Sequence, residues 1–257
     1  MLQVISAFDG YAIEASDGRI GSVSDFLFDD QTWKVRWLVV DTGTWLTERK
    51  VLIHPSAIGQ ADYEGQKLAV ALTKAQVEES PDIREHQPVS RQMERELYNY
   101  YGWDPLWGGG YLGAASGAIA APLATEPYFG IASVREAADI DPVPHDADPH
   151  LQSVVEINGC HIHASDGDIG HVEDLLIDSA QWAICYFIVD TSNWWMGQHV
   201  LMSPHAVTTI DWMERHVQLN VTRAQVKASP PWDPLKLMDQ AGMKRLHDHY
   251  GWPGSRA

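Results

Sequence analysis

Ten of the twelve histidines lie from His145 onward, and among them His161 and His163 have a spacing that could do chemistry. Two residues apart in an extended segment they share one face, an arrangement a metal ion can use. His171 on the following strand is the obvious third ligand, but the expected register argues against it. With Asp166-Gly167 as a two-residue loop, Ile162 faces His171 and His163 faces Gly170, which turns His171 to the other side. His161 and His163 are therefore weak metal candidates with solvated strand histidines as the plain alternative, and neither metal nor cofactor is expected. His247 and His249, two apart on a helix, do not face each other. His145, Asp146, Asp148 and His150 read as solvated charge in a linker.

The recurring acids Asp25, Asp29 and Asp41, with Asp174, Asp178 and Asp190, invite a paired-carboxylate reading. Asp25 and Asp29 share parity on one strand yet stand about 13 Å apart at strand rise, too far to share a proton. Asp29 and Asp41 fall at strand ends, where Asp bonds the backbone of the following turn. There is no G-x-S-x-G, P-loop or G-x-G-x-x-G in a strand–helix frame. Cys160 and Cys185 form neither a CxxC nor a disulfide framework. No catalytic residue is assigned, and a protein without enzymatic activity is expected.

The aromatic residues are the better candidates for function. Eleven tryptophans are many for this length. Those near segment ends are hard to bury locally: Tyr100, Tyr101, Trp103, Trp107, Trp194, Trp195, Tyr250 and Trp252. Tyr and Trp favour interfaces, so these eight are candidate interaction residues. Either each aromatic arm folds back on its own domain, or it docks on the other domain or another protomer.

What must position these groups is a repeat. Ser16-Asp17-Gly18 recurs as Ser165-Asp166-Gly167, 149 positions on. The same offset carries Trp33 to Trp182, Asp41-Thr42 to Asp190-Thr191, Ser80-Pro81 to Ser229-Pro230 and Tyr101-Gly102-Trp103 to Tyr250-Gly251-Trp252. In the first copy Tyr11–Ala15 and Arg19–Phe28 read as strands around an Asp17-Gly18 type I′ turn. Lys34–Val40 is apolar on both faces and so covered on both sides. Val51–Ile53 and Gln66–Leu72 supply further strands. Thr73 and Gln76 form a capping box opening a short helix, repeated by Thr222 and Gln225. The expected class is mainly β: two small barrels in tandem, each followed by a short helical arm. The divisions are 1–80 for the first barrel, 81–107 for its arm, 108–149 for a Gly/Ala/Pro then acidic linker, 150–229 for the second barrel and 230–257 for its arm.

The run Asp17-Gly18-Arg19-Ile20-Gly21-Ser22-Val23, then Asp25-Phe26-Leu27-Phe28-Asp29 and Trp33 to Asp41, resembles the PRC-barrel domain. Its second copy runs from Asp166-Gly167-Asp168-Ile169-Gly170 to Val189-Asp190. The family includes the cytoplasmic domain of the photosynthetic reaction-centre H subunit and the C-terminal barrel of a ribosome-maturation factor. The resemblance implies a barrel that acts by contact and carries over no catalytic residue. Met1 leads almost directly into the barrel, with no room for that subunit's membrane helix, so a reaction-centre role is not expected.

The formal charge of −17 disfavours nucleic acid as a ligand. Gly108–Thr125 is too rich in Gly, Ala and Ser to span a membrane, and no signal peptide is evident. These features lead to a soluble, cytoplasmic, bacterial adaptor-type module. It pairs its barrels within the chain or as a homo-oligomer and contacts a protein partner, with peripheral association with a membrane complex left open. A small-molecule or metal-binding protein, or an enzyme, is the alternative.

Overall fold

The computed structural model describes residues 2–46, 49–81, 91–103, 148–192, 198–233 and 240–253. In the first half β1 (Leu2–Val4), β2 (Ala12–Ala15), β3 (Gly18–Asp29), β4 (Lys34–Asp41), β5 (Lys50–Ile53), β6 (Ile58–Asp62) and β7 (Lys67–Val70) precede α1 (Lys74–Glu78) and α2 (Arg91–Tyr101). The second half repeats them as β8 (Leu151–Ser153), α3 (Val154–Ile157), β9 (His161–Ala164), β10 (Gly167–Asp178), β11 (Ala183–Asp190), β12 (His199–Met202), β13 (Val207–Asp211), β14 (His216–Leu219), α4 (Arg223–Lys227) and α5 (Gln240–Tyr250). Each strand of the second half begins and ends 149 positions after one of the first. Both capping boxes form, with Thr73 and Gln76, and Thr222 and Gln225, bonding reciprocally.

The architecture is mainly β, but the halves interlock instead of standing apart. β1 pairs with β10 of the other half, and β8 returns the exchange by pairing with β3. Trp182 and Trp33 cross the seam: Val35 N–H donates to the Trp182 carbonyl at 2.8 Å, and Ile184 N–H to that of Trp33 at 2.7 Å. Asp25 accepts from the Ser153 hydroxyl at 2.5 Å and from the Val155 N–H, capping α3 of the other half. All fourteen strands among the described residues join one sheet, and one buried cluster runs through both halves, from Phe8, Phe26 and Phe28 to Trp182 and Phe187. Such reciprocity is what a twofold dimer interface provides between two chains, here within one.

β4 is covered on both faces, as its composition predicts. Val35, Leu38 and Val40 enter the shared core, while Trp37 and Val39 lie beneath α2 with Met93 and Leu97. The turns differ from expectation. Ala15 pairs with Gly18 and Ala164 with Gly167, so the loops are Ser16-Asp17 and Ser165-Asp166, and the positive-φ glycines begin the next strand. Asp17 and Asp166 instead accept the first N–H of α1 and α4. No helix among the described residues is long and apolar enough to cross a membrane. Most of the 108–149 linker, including Gly108–Thr125, lies outside the described residues.

Candidate functional site

The outer face of the second half carries a row of ionisable side chains, one per strand, in direct cross-strand register. Asp211 on β13 pairs with His216 on β14, His216 with His161 on β9, and His161 with His171 on β10. His171 then pairs with Asp190 on β11, and Asp190 with His199 on β12. Directly opposed residues share a face. The next positions inward, Val217, Ile162, Val172, Val189 and Val200, are buried, so the row faces out.

This corrects the expected register. Asp168 pairs with His163 and Gly170 with Ile162, leaving Ile169 as a bulge with its side chain fully buried. The extra residue shifts the rest of β10 by one, and His171 comes opposite His161 instead of turning away. The first half has the same bulge at Ile20. His163, on the same face as His161, closes the group: its ring lies 3.9 Å from that of His216, and its Nε2 lies 2.5 Å from Asp168 Oδ1.

Of these groups His161, His163 and Asp168 line a cleft of about 620 Å³, together with Arg223. His171 Nε2 stands 3.8 Å from Asp190 Oδ2, and His199 Nε2 stands 2.8 Å from Glu173 Oε2. Burial lowers the His216 pKa, and His163 beside it pushes the same way. Burial pushes the Asp190 carboxyl up, but the Ser192 N–H and hydroxyl, with His171 and His199, bring it below its ordinary value. Among the described residues, no three His, Cys, Asp or Glu side chains are gathered to hold a metal. What the arrangement offers is an outward surface of imidazoles and carboxylates held in cross-strand register. In the first half the corresponding row is Asp62, Lys67, Ala12, Ser22, Asp41 and Lys50, with fixed cations where the second half has His216 and His199.

Residues 8–77 match the family model described as PRC-barrel domain. Residues 8–77 are a PRC-barrel domain. Over 75 residues the chain is also 35% identical to an uncharacterized protein of Deinococcus radiodurans, which covers 29% of this chain. The chain in turn spans 27% of that relative's length.

The aromatic arm after the PRC barrel packs on its own half. Trp103 stacks on Tyr101 at 4.1 Å and packs against Trp37 and His54. In the second half Trp252 stacks on Tyr250 at 4.2 Å and lies against His247. Each arm is held by matching bonds: Tyr100 Oη donates to the Gln76 carbonyl, and His249 Nε2 meets that of Gln225 at 2.9 Å. Tyr101, Trp103, Tyr250 and Trp252 are thus half-buried contacts within the chain, while Tyr100 remains exposed. Trp107, Trp194 and Trp195 lie outside the described residues.

Beneath the first arm is a buried polar cluster that sequence reading missed. Arg36 bonds Glu94 and Asp148, and Trp37 Nε1 donates to Glu94 at 2.6 Å. His54 lies 2% exposed beside them, accepting the Ser56 N–H. Burial, with nearby Arg36, lowers its pKa to about 4. Because that lies below the unfolded value of 6.5, its contribution to stability is complete above pH 6.5 and is lost as pH falls toward 4. The expected loss is about 3 kcal/mol. His54→Ser, the residue at the matching position 203, keeps a side-chain acceptor there and should flatten this part of the profile in urea unfolding at pH 7.5 and 4.5.

Proposed function

We propose that the chain is a non-catalytic protein-contact module built from two PRC-type barrels, with the outer histidine row of the second half as its contact surface. The observation that carries this reading is the difference between the halves. Ala12, Ser22, Lys67 and Lys50 sit on the same strands in the same register as His161, His171, His216 and His199, so the fold does not require the histidines. A cluster of ionisable side chains that the core does not need is better explained by what it meets outside. Exposed ion pairs such as His163–Asp168 add little stability, about 0–1 kcal/mol.

The test is to place the first half's residues in the second: His161→Ala, His171→Ser, His216→Lys and His199→Lys together. The melting temperature should stay within a few degrees. In affinity capture from the native host, a partner held by the unaltered chain should be recovered at least about tenfold less by the quadruple variant. Equal recovery by both would remove the row from the contact surface. Comparing pH 6 with pH 8 then shows whether the contact follows imidazole charge.

A further inference from the structure

A second cavity lies on the seam between the halves, away from the histidine row. Its volume is about 540 Å³, and its walls include Phe8, Tyr63, Leu68 and Ile58 of the first half with Ala180 and Trp182 of the second. Phe8 is the aromatic hub, 6.2 Å from Tyr63 and 6.0 Å from Trp182. Tyr63 is 43% exposed at the mouth.

The duplication supplies an internal control, because the same place exists on the opposite side of the seam. There larger side chains stand at most of the corresponding positions. Trp212, at the position of Tyr63, packs against Phe28 and donates its indole N–H to Asp30 at 3.2 Å. Asp30 is held by His150 at 3.0 Å, and His150 by Gln31 at 3.1 Å. At the cavity these closing groups are absent by residue type: Ser179 stands for Asp30 and Ala180 for Gln31. Ala61 stands for Ile210, Gly59 for Thr208 and Ser56 for His205. Phe8, Ile58 and Leu68 are slightly larger than their counterparts, so the wall is complete while the filling is removed. The net difference is roughly a dozen side-chain heavy atoms, at a site where folded proteins otherwise pack densely.

The chemistry of the lining selects the occupant. None of the lining residues is Asp, Glu, Lys, Arg or His, in a chain whose formal charge is −17. Aromatic faces and apolar walls, with the Tyr63 hydroxyl beside them, accept a flat, neutral ring that carries a polar atom. We propose that this seam cavity binds a small neutral aromatic compound, bicyclic in size, in the place where the other side of the seam seats its own Trp212.

The probe is 2-naphthol, measured by equilibrium dialysis at pH 7 against the intact chain, with 2-naphthalenesulfonate as its charged analogue. Saturable binding with a Kd on the order of 10⁻⁴ M is expected for so small a ligand. Ala61→Ile with Ala180→Gln installs the residues of the opposite side and should weaken binding at least about tenfold without lowering the melting temperature. Should that variant fail to fold, Tyr63→Trp with Ser179→Asp installs the closing pair instead and should have the same effect. The sulfonate should bind at least about tenfold more weakly than the naphthol. Absence of saturable binding, or equal binding by the filled variants, overturns the site. Equal binding of the sulfonate overturns the neutral-ligand assignment.

Discussion

Gly170→Ala should be among the most damaging single substitutions in the chain, lowering stability by at least about 3 kcal/mol in urea unfolding. A Cβ at Gly170 falls 1.9 Å from the Asp190 carbonyl oxygen and 3.2 Å from Thr191 Cα, both backbone atoms that cannot rotate away. Its φ of +141° is itself a conformation L residues rarely adopt. A Cβ at Gly21 in the first half would likewise run into the Asp41 carbonyl oxygen, so the steric part of the loss should recur there without the cost of positive φ. The control is Gly10→Ala. That glycine has φ +73° with open space around it, so only the backbone cost of about 1–2 kcal/mol applies. If all three variants lose the same stability, close approach at the bulge is not what these glycines serve. The same bulge brings His171 opposite His161, so loss of near-native structure around Gly170 should also scatter the histidine row.

Arg36→Met should cost about 3–5 kcal/mol, because it leaves two buried carboxylates without the cation they share. Glu94 is 3% exposed and Asp148 is 4% exposed, and both bond the Arg36 guanidinium. Lowering the pH should restore part of the loss, since a protonated carboxyl no longer requires a countercharge. The second half shows that the fold tolerates an apolar solution. Cys185 and Met243 occupy the positions of Arg36 and Glu94, and Leu176, Ile188 and Leu246 pack there. Arg36→Cys combined with Glu94→Met should therefore be less destabilising than Arg36→Met alone. Thermal melts of the three proteins at pH 7.5 and 5 check both expectations. A double variant no better than the single one would mean that Asp148 alone sets the cost.

Much of the fold was legible in one dimension because the repeat and the local signals agree. The offset of 149, the capping boxes at Thr73 and Thr222, and the two-sided apolar character of β4 all depend on residues close in sequence. Asp29 and Asp41 cap their own turns, as their place at strand ends implied. The bulges at Ile20 and Ile169 were not legible. A buried isoleucine in an alternating run looks like an ordinary inward residue, and only the partner strand reveals the extra position. That single slip decided where His171 would point. β6, with the sequence Ile-Gly-Gln-Ala-Asp, has too little alternation to register as a strand. The exchange of β1 and β8 has no local signal at all, since three residues become a strand only because an edge in the other half receives them. The Arg36 cluster was hidden for the same reason, as Glu94 and Asp148 reach it from distant segments.

The exchanged strands also impose an order of events. β1 is made before the other described strands, yet its partners Leu176 to Asp178 are made more than 170 residues later. At about 5–20 residues per second the opening strand waits on the order of ten seconds for a mate. Meanwhile the far edge of β3 stays unpaired until Leu151 to Ser153 arrive. Contacts so distant along the chain make for slow closure. The nascent first half is thus an open-edged sheet during synthesis, exposed to a neighbouring nascent copy offering the same two strands. Joining both copies in one polypeptide makes the correct mate the one that is always nearby.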